Sequence, residues 1–229
     1  MTFTAAEPTV SPDATTPAEG PTKKPARSTP VQPVLEKLFE LYPRLFGGEF
    51  LPLKLGVFQE LLAGHPEVFT RDSLKAALGV HTRSARYLQS VAAGKKRHDL
   101  QGEPVGDVAP EHVHQALMEL FRRRQARSRE DLRPKLRQQL ITAFLASGLT
   151  RQDYLARVQT NDPQANLPLE DALAEYDQKM AKQDALIRAF QSSGKTLAEF
   201  ADMYGLDERE VSAALASVTP APADPTVAG

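Results

Sequence analysis

A segment of eleven residues occurs twice in this chain, and the repetition constrains the fold of the second half. Residues 140–150 and 186–196 stand at an offset of 46 residues and are identical at seven of the eleven positions. In each copy an apolar helical pattern runs into a glycine, and a threonine follows two residues later. Because glycine ends helices and threonine caps the next one, the repeat predicts two helical hairpins. We expect them to pack face to face, with residues 160–168 as the joint.

The second copy also has the spacing of a helix-turn-helix motif. Ala201, Gly205 and Val211 stand at the small-residue, turn-glycine and buried-aliphatic positions of that motif. Its second helix, however, opens with the acidic stretch at residues 207–210, which a phosphate backbone would repel. We therefore predict a protein-interaction or self-association module in residues 130–218, with a DNA-binding regulator as an alternative.

Charge is distributed unevenly along a chain whose net charge is only −1. Residues 71–99 contain seven Lys or Arg and two acids. Residues 122–137 contain eight Lys or Arg and two acids. Residues 138–229 contain seven Lys or Arg against thirteen Asp or Glu. A basic middle before an acidic end indicates one half that binds a polyanion and another with a different role. One possibility left open is that the acidic half lies against the basic face and competes with the polyanion.

The composition excludes several classes of protein. The chain contains no cysteine, so it has neither disulfides nor thiolate ligands, and it lacks HExxH, phosphate-loop and GxSxG motifs. We therefore predict no enzymatic activity, no cofactor and no metal site. No apolar run approaches the roughly 18 residues that cross a bilayer, and the expected location is the cytoplasm. Prolines cluster at both ends, which predicts disordered tails at residues 1–30 and 219–229.

Apolar residues at helical spacing predict five helices before the repeat. We place them at residues 33–46, 55–62, 70–78, 82–91 and 110–129. Thr70 and Thr82 are the predicted N-caps of the third and fourth helices, the former without a full capping box, and Gly79 is the stop between them. Gly56 would let another backbone approach closely. A Gln-Gly pair at residues 101–102 predicts a β-hairpin.

The helix start near Thr82 is the most favourable place for phosphate in this sequence. Free N–H groups and the positive end of the helix dipole attract anions there, and Arg83 and Ser84 stand beside them. Arg86 and Tyr87 follow one turn later, on the expected rim of the helix. A run of three basic residues follows at positions 95–97. Arg97 is its best phosphate ligand because a guanidinium binds phosphate through two hydrogen bonds.

Three motifs in this region occur in the order typical of one family. Pro-Leu-Lys-Leu-Gly-Val-Phe-Gln at residues 52–59 is followed by Arg-Tyr-Leu at 86–88. A basic run then leads into Asp-Leu-Gln-Gly-Glu-Pro at 99–104. Residues 31–125 thereby resemble the ProQ/FinO family of bacterial RNA-binding proteins. The resemblance implies a mainly α (α+β) domain with a small β-hairpin, followed here by the all-helical repeat region of two helical hairpins.

The resemblance also implies a function and a site. It implies an RNA chaperone that acts on structured small RNAs and mRNA 3′ ends, binding a hairpin and its single-stranded 3′ tail. Lys54 corresponds to a lysine of the family's RNA-binding face, and Tyr87 and Arg97 to its pocket for an RNA 3′ end. The full set of predicted RNA-binding residues is Lys54, Arg71, Lys75, Thr82, Arg83, Ser84, Arg86, Tyr87, Lys95, Lys96 and Arg97. We predict an RNA-binding domain at residues 31–129 and a helical domain at residues 130–218. In the alternative interpretation the protein is a scaffold, and the helical domain is its protein-interaction module.

Overall fold

The computed structural model describes residues 31–216, and the secondary structure in this range consists of helices and one small antiparallel sheet. The predicted mainly α fold with a β-hairpin is confirmed. Both predicted disordered tails, with residues 217–218, lie outside the described range. The elements are α1 (Val31–Leu41), α2 (Pro43–Phe46), α3 (Val57–Gly64), α4 (Arg71–Thr82), α5 (Ala85–Ala92), β1 (Arg97–His98), β2 (Pro104–Gly106), α6 (Pro110–Gln125), α7 (Arg133–Ser147), α8 (Arg151–Val158), α9 (Pro163–Ser193), α10 (Leu197–Tyr204) and α11 (Glu208–Ala216). No helix in the described range is long and apolar enough to cross a membrane.

The first predicted helix is divided in two. Tyr42, the residue before Pro43, leaves helical geometry with φ −135° and ψ 63°, and α2 begins at the proline. Proline disfavours helical backbone in the residue before it, so the single helix predicted over residues 33–46 was wrong. The break still allows both parts to contribute to the core, through Leu38 from α1 and Leu45 from α2.

Gly56 has a backbone role that differs from the predicted one. It adopts φ +90° immediately before α3, which therefore begins at Val57. A Cβ atom built on Gly56 would meet no atom within 4 Å. The glycine is thus required by its left-handed backbone and not by a close approach of another segment.

Helices α4 and α5 are divided differently from the prediction. Thr70 caps α4 in a full capping box with Ser73, and Gly79 lies inside this helix without ending it. Thr82 is the last residue of α4, where its hydroxyl donates to the carbonyl of Leu78 at 2.8 Å. The cap of α5 is Ser84, whose Oγ accepts the N–H of Tyr87. The positive end of α5 therefore begins two residues later than predicted.

The predicted hairpin is present and rests on the segment before α3. Strands β1 and β2 pair antiparallel, and the Asp99 carboxylate accepts N–H groups from Gln101 and Glu103 in the turn. On its other side, His98 donates its N–H to the carbonyl of Pro52 at 2.7 Å and accepts the N–H of Lys54 at 2.8 Å. The hairpin is thereby fixed to residues 52–54, which carry the first of the three sequence motifs.

Helix α6 connects two hydrophobic cores. Ala116 belongs to the core formed by the helices that precede it. The next residue, Leu117, packs with Leu136 and Leu140 of α7 and with Ala172 of α9. Helix α6 ends at Gln125, four residues earlier than predicted. The predicted domain boundary at residues 129–130 therefore separates residues that pack in the same hydrophobic core.

The internal repeat is a structural duplication. Each copy ends its first helix at a left-handed glycine, Gly148 or Gly194, and caps its second helix with a threonine, Thr150 or Thr196. The ring of Phe144 meets that of Tyr154 edge-on with centroids 5.3 Å apart. The equivalent pair, Phe190 and Phe200, makes the same contact at the same distance. The predicted pair of helical hairpins is confirmed.

The two copies are joined by a continuous helix. The chain turns only at residues 159–162 and then enters α9, which runs for 31 residues with Pro168 inside it. The first half of α9 packs on the first hairpin through Leu169 and Leu173, and its second half opens the second hairpin. These cores lie at opposite ends of α9, so the predicted face-to-face packing was wrong. Of the joint predicted at residues 160–168, residues 160–162 form the turn and residues 163–168 are helical.

The second copy has the packing of a helix-turn-helix unit. Ala201 and Val211 are buried in its core, and Gly205 takes the left-handed conformation between α10 and α11. The first turn of α11 carries the exposed carboxylates of Glu208 and Glu210. These are the positions at which a helix of this kind meets DNA, so their charge opposes that use.

Candidate nucleic-acid interface

Tyr87 and Arg97 meet at the backbone of Leu53. The Leu53 N–H donates to the Tyr87 hydroxyl at 3.1 Å, and Nη1 of Arg97 donates to the Leu53 carbonyl at 2.9 Å. Helix α5 supplies the tyrosine, strand β1 the arginine, and the segment before α3 the shared backbone. The structure thus brings together the two residues that the sequence predicted to share a pocket.

An open cleft of about 970 Å³ lies in front of this pair, between α5 and α6. Its apolar lining comes mainly from Leu88 and Val91 of α5 and from Met118 and Phe121 of α6. Leu55 stands at the edge with 74% of its surface exposed. The cleft therefore combines an apolar surface, which suits nucleobases, with cations at its rim.

The rim of the cleft carries four arginines and one acid. The arginines are Arg83, Arg97, Arg122 and Arg123, and the acid is Glu119. Hydrogen bonds from Arg122 and Arg123 lower the pKa of Glu119 to about 2, so this carboxylate stays ionised near neutral pH. Nη1 of Arg123 also donates to the carbonyl of Arg83 at 2.7 Å, which fixes it across the start of α5. The rim keeps a surplus of positive charge.

Tyr87 is buried and not on the rim as predicted. Only 8% of its surface is exposed, because its ring packs into the first core behind the cleft. Burial raises the pKa of the Tyr87 hydroxyl, while the Leu53 N–H and the charge of Arg97 act in the opposite direction. The hydroxyl is therefore neutral at physiological pH and positions the backbone that Arg97 also binds.

His81 supports Tyr87 from inside the protein. Its ring lies 5.3 Å from that of Tyr87, 4.7 Å from Phe46 and 4.5 Å from Phe50, all measured between centroids. Burial lowers the pKa of His81 to about 4, so the imidazole is neutral near pH 7. A single histidine near the end of a helix does not by itself indicate this role.

The other predicted site residues occupy several places. Thr82 and Arg83 line the cleft, and Ser84 is the cap of α5. Lys54 pairs with Glu60 at 2.6 Å. Arg71 and Lys75 are exposed on α4, and Lys96 is exposed before β1, all outside the cleft lining.

Arg86 and Lys95 border a separate, smaller cavity of about 240 Å³. Arg86 donates to the carbonyl of Gly48 at 3.1 Å and lies over the Phe50 ring, 4.9 Å from its centroid. Lys95 pairs with Glu49 at 2.5 Å. Both cations thus have partners within the protein, and the structure does not bring them to Tyr87.

Sequence reasoning missed the contribution of α6 to the cleft. His112 lies beside Arg97, with 3.4 Å between Nδ1 and Nη2, and Gln115 and Glu119 follow it on the same helical face. The available signal was a row of polar residues at spacings of three and four along this helix. In the sequence, Arg122 and Arg123 were noted only as part of the basic segment at residues 122–137, whereas in the structure they line the cleft.

Comparison with known proteins identifies the region that carries this cleft. Residues 28–133 match the model of the ProQ/FINO family. This part of the chain belongs to the ProQ/FinO family. The match spans all three motifs, and the predicted resemblance is confirmed.

Curated relatives also resemble part of the chain. The chain is 42% identical over 93 residues to the RNA chaperone ProQ of Shewanella oneidensis, which is 38% of this chain and 43% of that protein. It is 40% identical over 88 residues to the RNA chaperone ProQ of Aliivibrio fischeri, 36% of this chain and 42% of that protein. The chain thus spans less than half the length of these curated relatives.

Two solved structures also resemble part of the chain. The crystal structure of a FinO-like RNA chaperone from Neisseria meningitidis is 31% identical and covers 38% of this chain and 88% of its own, with a TM-score of 0.35. The solution structure of a ProQ homolog from Legionella pneumophila is 25% identical and covers 50% and 99%, also with a TM-score of 0.35.

Proposed function

We propose that the protein is an RNA-binding RNA chaperone and that the ProQ/FinO domain holds its ligand in the cleft between α5 and α6. The observation that carries the proposal is the convergence of Tyr87 and Arg97 on Leu53 at the end of an open, arginine-rimmed cleft. The relatives named RNA chaperone ProQ support the same function.

The ligand that fits best is a structured RNA with a free 3′ end, such as a small RNA or an mRNA terminator. The cleft offers apolar surface for an unstacked base and a guanidinium for the phosphate beside it. The remaining rim cations suit the backbone of an adjoining stem, which proteins recognise by shape and phosphate contacts. The role needs binding alone, so we assign no catalytic step, and we place the protein in the cytoplasm with its RNA.

Direct binding to defined nucleic acids tests this function. Fluorescence anisotropy would compare a hairpin RNA that ends in a single-stranded uridine tail with duplex DNA of the same length, over a range of salt concentrations. We expect tight, salt-dependent binding to the hairpin RNA and much weaker binding to the duplex DNA. Equal affinity for both, or no binding to the RNA, would overturn the proposal.

The repeat region keeps a separate prediction, an interaction with protein or with a second copy. Its best support is Tyr204, 55% exposed at the position where the first copy buries Val158. Met203 beside it is 50% exposed. Sedimentation of the full chain over a range of concentrations would detect self-association, and a monomer at every concentration would leave only a different protein as the partner.

A further inference from the structure

A second cavity, of about 530 Å³, opens beside the first turn of α5. Helix α5 contributes Ala85 and Gln89 to its wall, and the end of α6 with the loop that follows contributes the rest. Of the residues that the structure describes, the wall includes three arginines, Arg123, Arg124 and Arg127, and no acid. A concave surface with three guanidiniums and no carboxylate is suited to an anion.

Arg124 and Arg127 differ in their contacts from four neighbouring arginines that pair with acids. Arg122 and Arg123 bind Glu119, Arg133 binds Asp131 and Arg137 binds Glu175. Among residues 31–216, neither Arg124 nor Arg127 has an acidic partner, and both are exposed. Their guanidiniums are therefore available to a ligand.

The end of α6 does not need these two side chains for capping. The carbonyls of Arg122 and Arg124 already accept backbone N–H groups from Ala126, Arg127 and Ser128. Cations near a helix C-terminus gain some electrostatic stabilisation in any case. That effect explains a basic helix end, but it does not explain why two guanidiniums share an acid-free cavity with the Gln89 side chain.

The second cavity, beside the first turn of α5, continues the first cleft, which lies between α5 and α6. Arg123 lines both, and the first turn of α5 lies between them. Along α6 and the turn that follows it, fifteen residues separate His112 at one end of the first cleft from Arg127, which corresponds to about 22 Å at helical rise. A nucleic-acid strand that leaves the first cleft past Arg123 would reach Arg124 and Arg127 next.

We propose that Arg124, Arg127 and Gln89 form a second phosphate site, which holds the backbone of an RNA whose 3′ end occupies the first cleft. The inference rests on the proposed function. RNA is favoured over an acidic peptide because the site continues a cleft with apolar surface for bases and because guanidiniums bind phosphate in pairs of hydrogen bonds. The site would extend the RNA contact beyond the Tyr87 and Arg97 pair.

The test uses the full chain with the double substitution Arg124→Ala and Arg127→Ala. Arg129→Ala is the matched control, because Arg129 is equally exposed, lies two residues further on and lines neither cavity. Each protein is titrated with a hairpin RNA carrying a 3′ uridine tail and with a short oligouridine that fills only the first cleft. A thermal melt of each variant confirms that it is folded.

We expect the double variant to weaken hairpin binding and to lower the slope of log K against log salt by about 1 to 2, the loss of one or two phosphate contacts. Oligouridine binding should stay at the wild-type value, and Arg129→Ala should bind both RNAs like wild type. The variant Arg124→Lys with Arg127→Lys should keep most of the salt slope, since it keeps both charges.

Three results would contradict the second site. Hairpin binding by the double variant at wild-type strength would overturn it while leaving the proposed function intact. Equal weakening by Arg129→Ala would indicate a diffuse field of charge instead of a site. Failure of the wild type to bind either RNA would overturn the proposed function, and the second site with it.

Discussion

Tyr87 and Arg97 hold the backbone of the same residue, Leu53, one through its N–H and the other through its carbonyl. Leu53 lies in an extended segment, 34 positions before Tyr87 of α5 and 44 positions before Arg97 of β1. The arginine thus has a fixed orientation at the cleft before any ligand arrives. A preorganised guanidinium loses less conformational entropy when it binds phosphate.

Removing this arginine should weaken RNA binding while the fold persists. Arg97 is only half-buried, and its loss removes one hydrogen bond to a carbonyl, so Arg97→Ala should lower the melting temperature by only a few degrees. A charged hydrogen bond to phosphate is worth about 1.5–3 kcal/mol, so affinity for the hairpin RNA should fall about tenfold or more. Anisotropy titrations would measure this, with Lys96→Ala, an exposed neighbour outside the cleft, as the control. Similar affinities for both variants would place the RNA elsewhere.

Substitution of Tyr87 should act on stability first, contrary to its predicted place on the rim. Tyr87→Phe leaves the buried N–H of Leu53 without an acceptor, which costs about 1–3 kcal/mol of unfolding free energy. Tyr87→Ala adds a cavity and should cost about 3–5 kcal/mol, so it is a poor probe of binding. Urea denaturation of the two variants would measure these costs. A wild-type midpoint for Tyr87→Phe would show that the Leu53 hydrogen bond does not contribute.

Part of this site could be predicted from the sequence because its motifs occur in a fixed order. The resemblance indicated that Tyr87 and Arg97 share a pocket, although it did not reveal Leu53 as the link, since a backbone contact leaves no trace in side-chain identity. The cap of α5 was misplaced because Thr82 and Ser84 are both good caps. Only tertiary packing shows that α4 continues through Gly79 to Thr82.

In the repeat region, too, the sequence predicted local features but not how the helices continue and pack. Local signals, a glycine stop and a threonine cap, predicted both hairpins, because each acts within a few residues. The joint was predicted to extend to residue 168 because Pro168 normally interrupts a helix by removing the N–H that would bond to Gln164. Here the burial of Leu169, Ala172 and Leu173 on neighbouring helices holds α9 together past the proline.

The duplication itself leads to a stability prediction at Tyr154. Its hydroxyl is buried and has no hydrogen-bond partner among residues 31–216, and the equivalent residue of the second copy is Phe200. Because an unpaired buried hydroxyl is costly, Tyr154→Phe should leave the free energy of unfolding unchanged or raise it by about 1 kcal/mol. Chemical denaturation measures this, with Phe200→Tyr as the reciprocal control, which should destabilise. A loss of 1 kcal/mol or more in Tyr154→Phe would indicate that the hydroxyl is satisfied after all.

The same substitution should change the alkaline stability of the protein. Burial raises the pKa of Tyr154 to about 12, above its ordinary value near 10. The unfolded chain therefore releases this proton first, and the free energy of unfolding falls as the pH rises from about 10 to about 12. Tyr154→Phe removes that contribution, so the stability of wild type and variant should diverge over this range. Parallel curves from pH 9 to 12 would contradict the buried, protonated hydroxyl.

His81 should make the RNA-binding domain sensitive to acid. Its pKa is lowered to about 4 by burial, so the unfolded chain takes up a proton near pH 6.5 while the folded chain stays neutral. The free energy of unfolding therefore keeps its full value above pH 6.5, and it falls by about 3 kcal/mol as the pH drops to 4. His81→Leu should flatten this decline in thermal melts at pH 7, 5.5 and 4.5. His112→Gln, which removes an exposed ring, is the control, and an undiminished decline in His81→Leu would refute the assignment.

Truncation distinguishes a structural role of the second half from competition with RNA. The cleft lining contains a single acid, Glu119, and no residue from α7 to α11, so the part of the acidic half that the structure describes, up to residue 216, does not cover the cleft. Two of its acids instead pair within their own half or with α7, Glu175 with Arg137 and Asp177 with Arg151. A chain ending after Ser147 keeps α7 over Leu117 and loses the net acidic residues 148–229. We expect it to bind the hairpin RNA like the full chain at every salt concentration.

A chain ending after Arg129 removes α7 as well and uncovers Leu117, which is 4% exposed in the intact protein. Exposing one leucine of this kind costs about 1.5–3 kcal/mol, so this fragment should melt several degrees below the longer one. Its RNA affinity, measured well below the melting temperature, should match that of the longer fragment. A gain in affinity at low salt for the fragment ending after Ser147, shrinking as salt rises, would instead establish that the acidic half competes with RNA for the cleft.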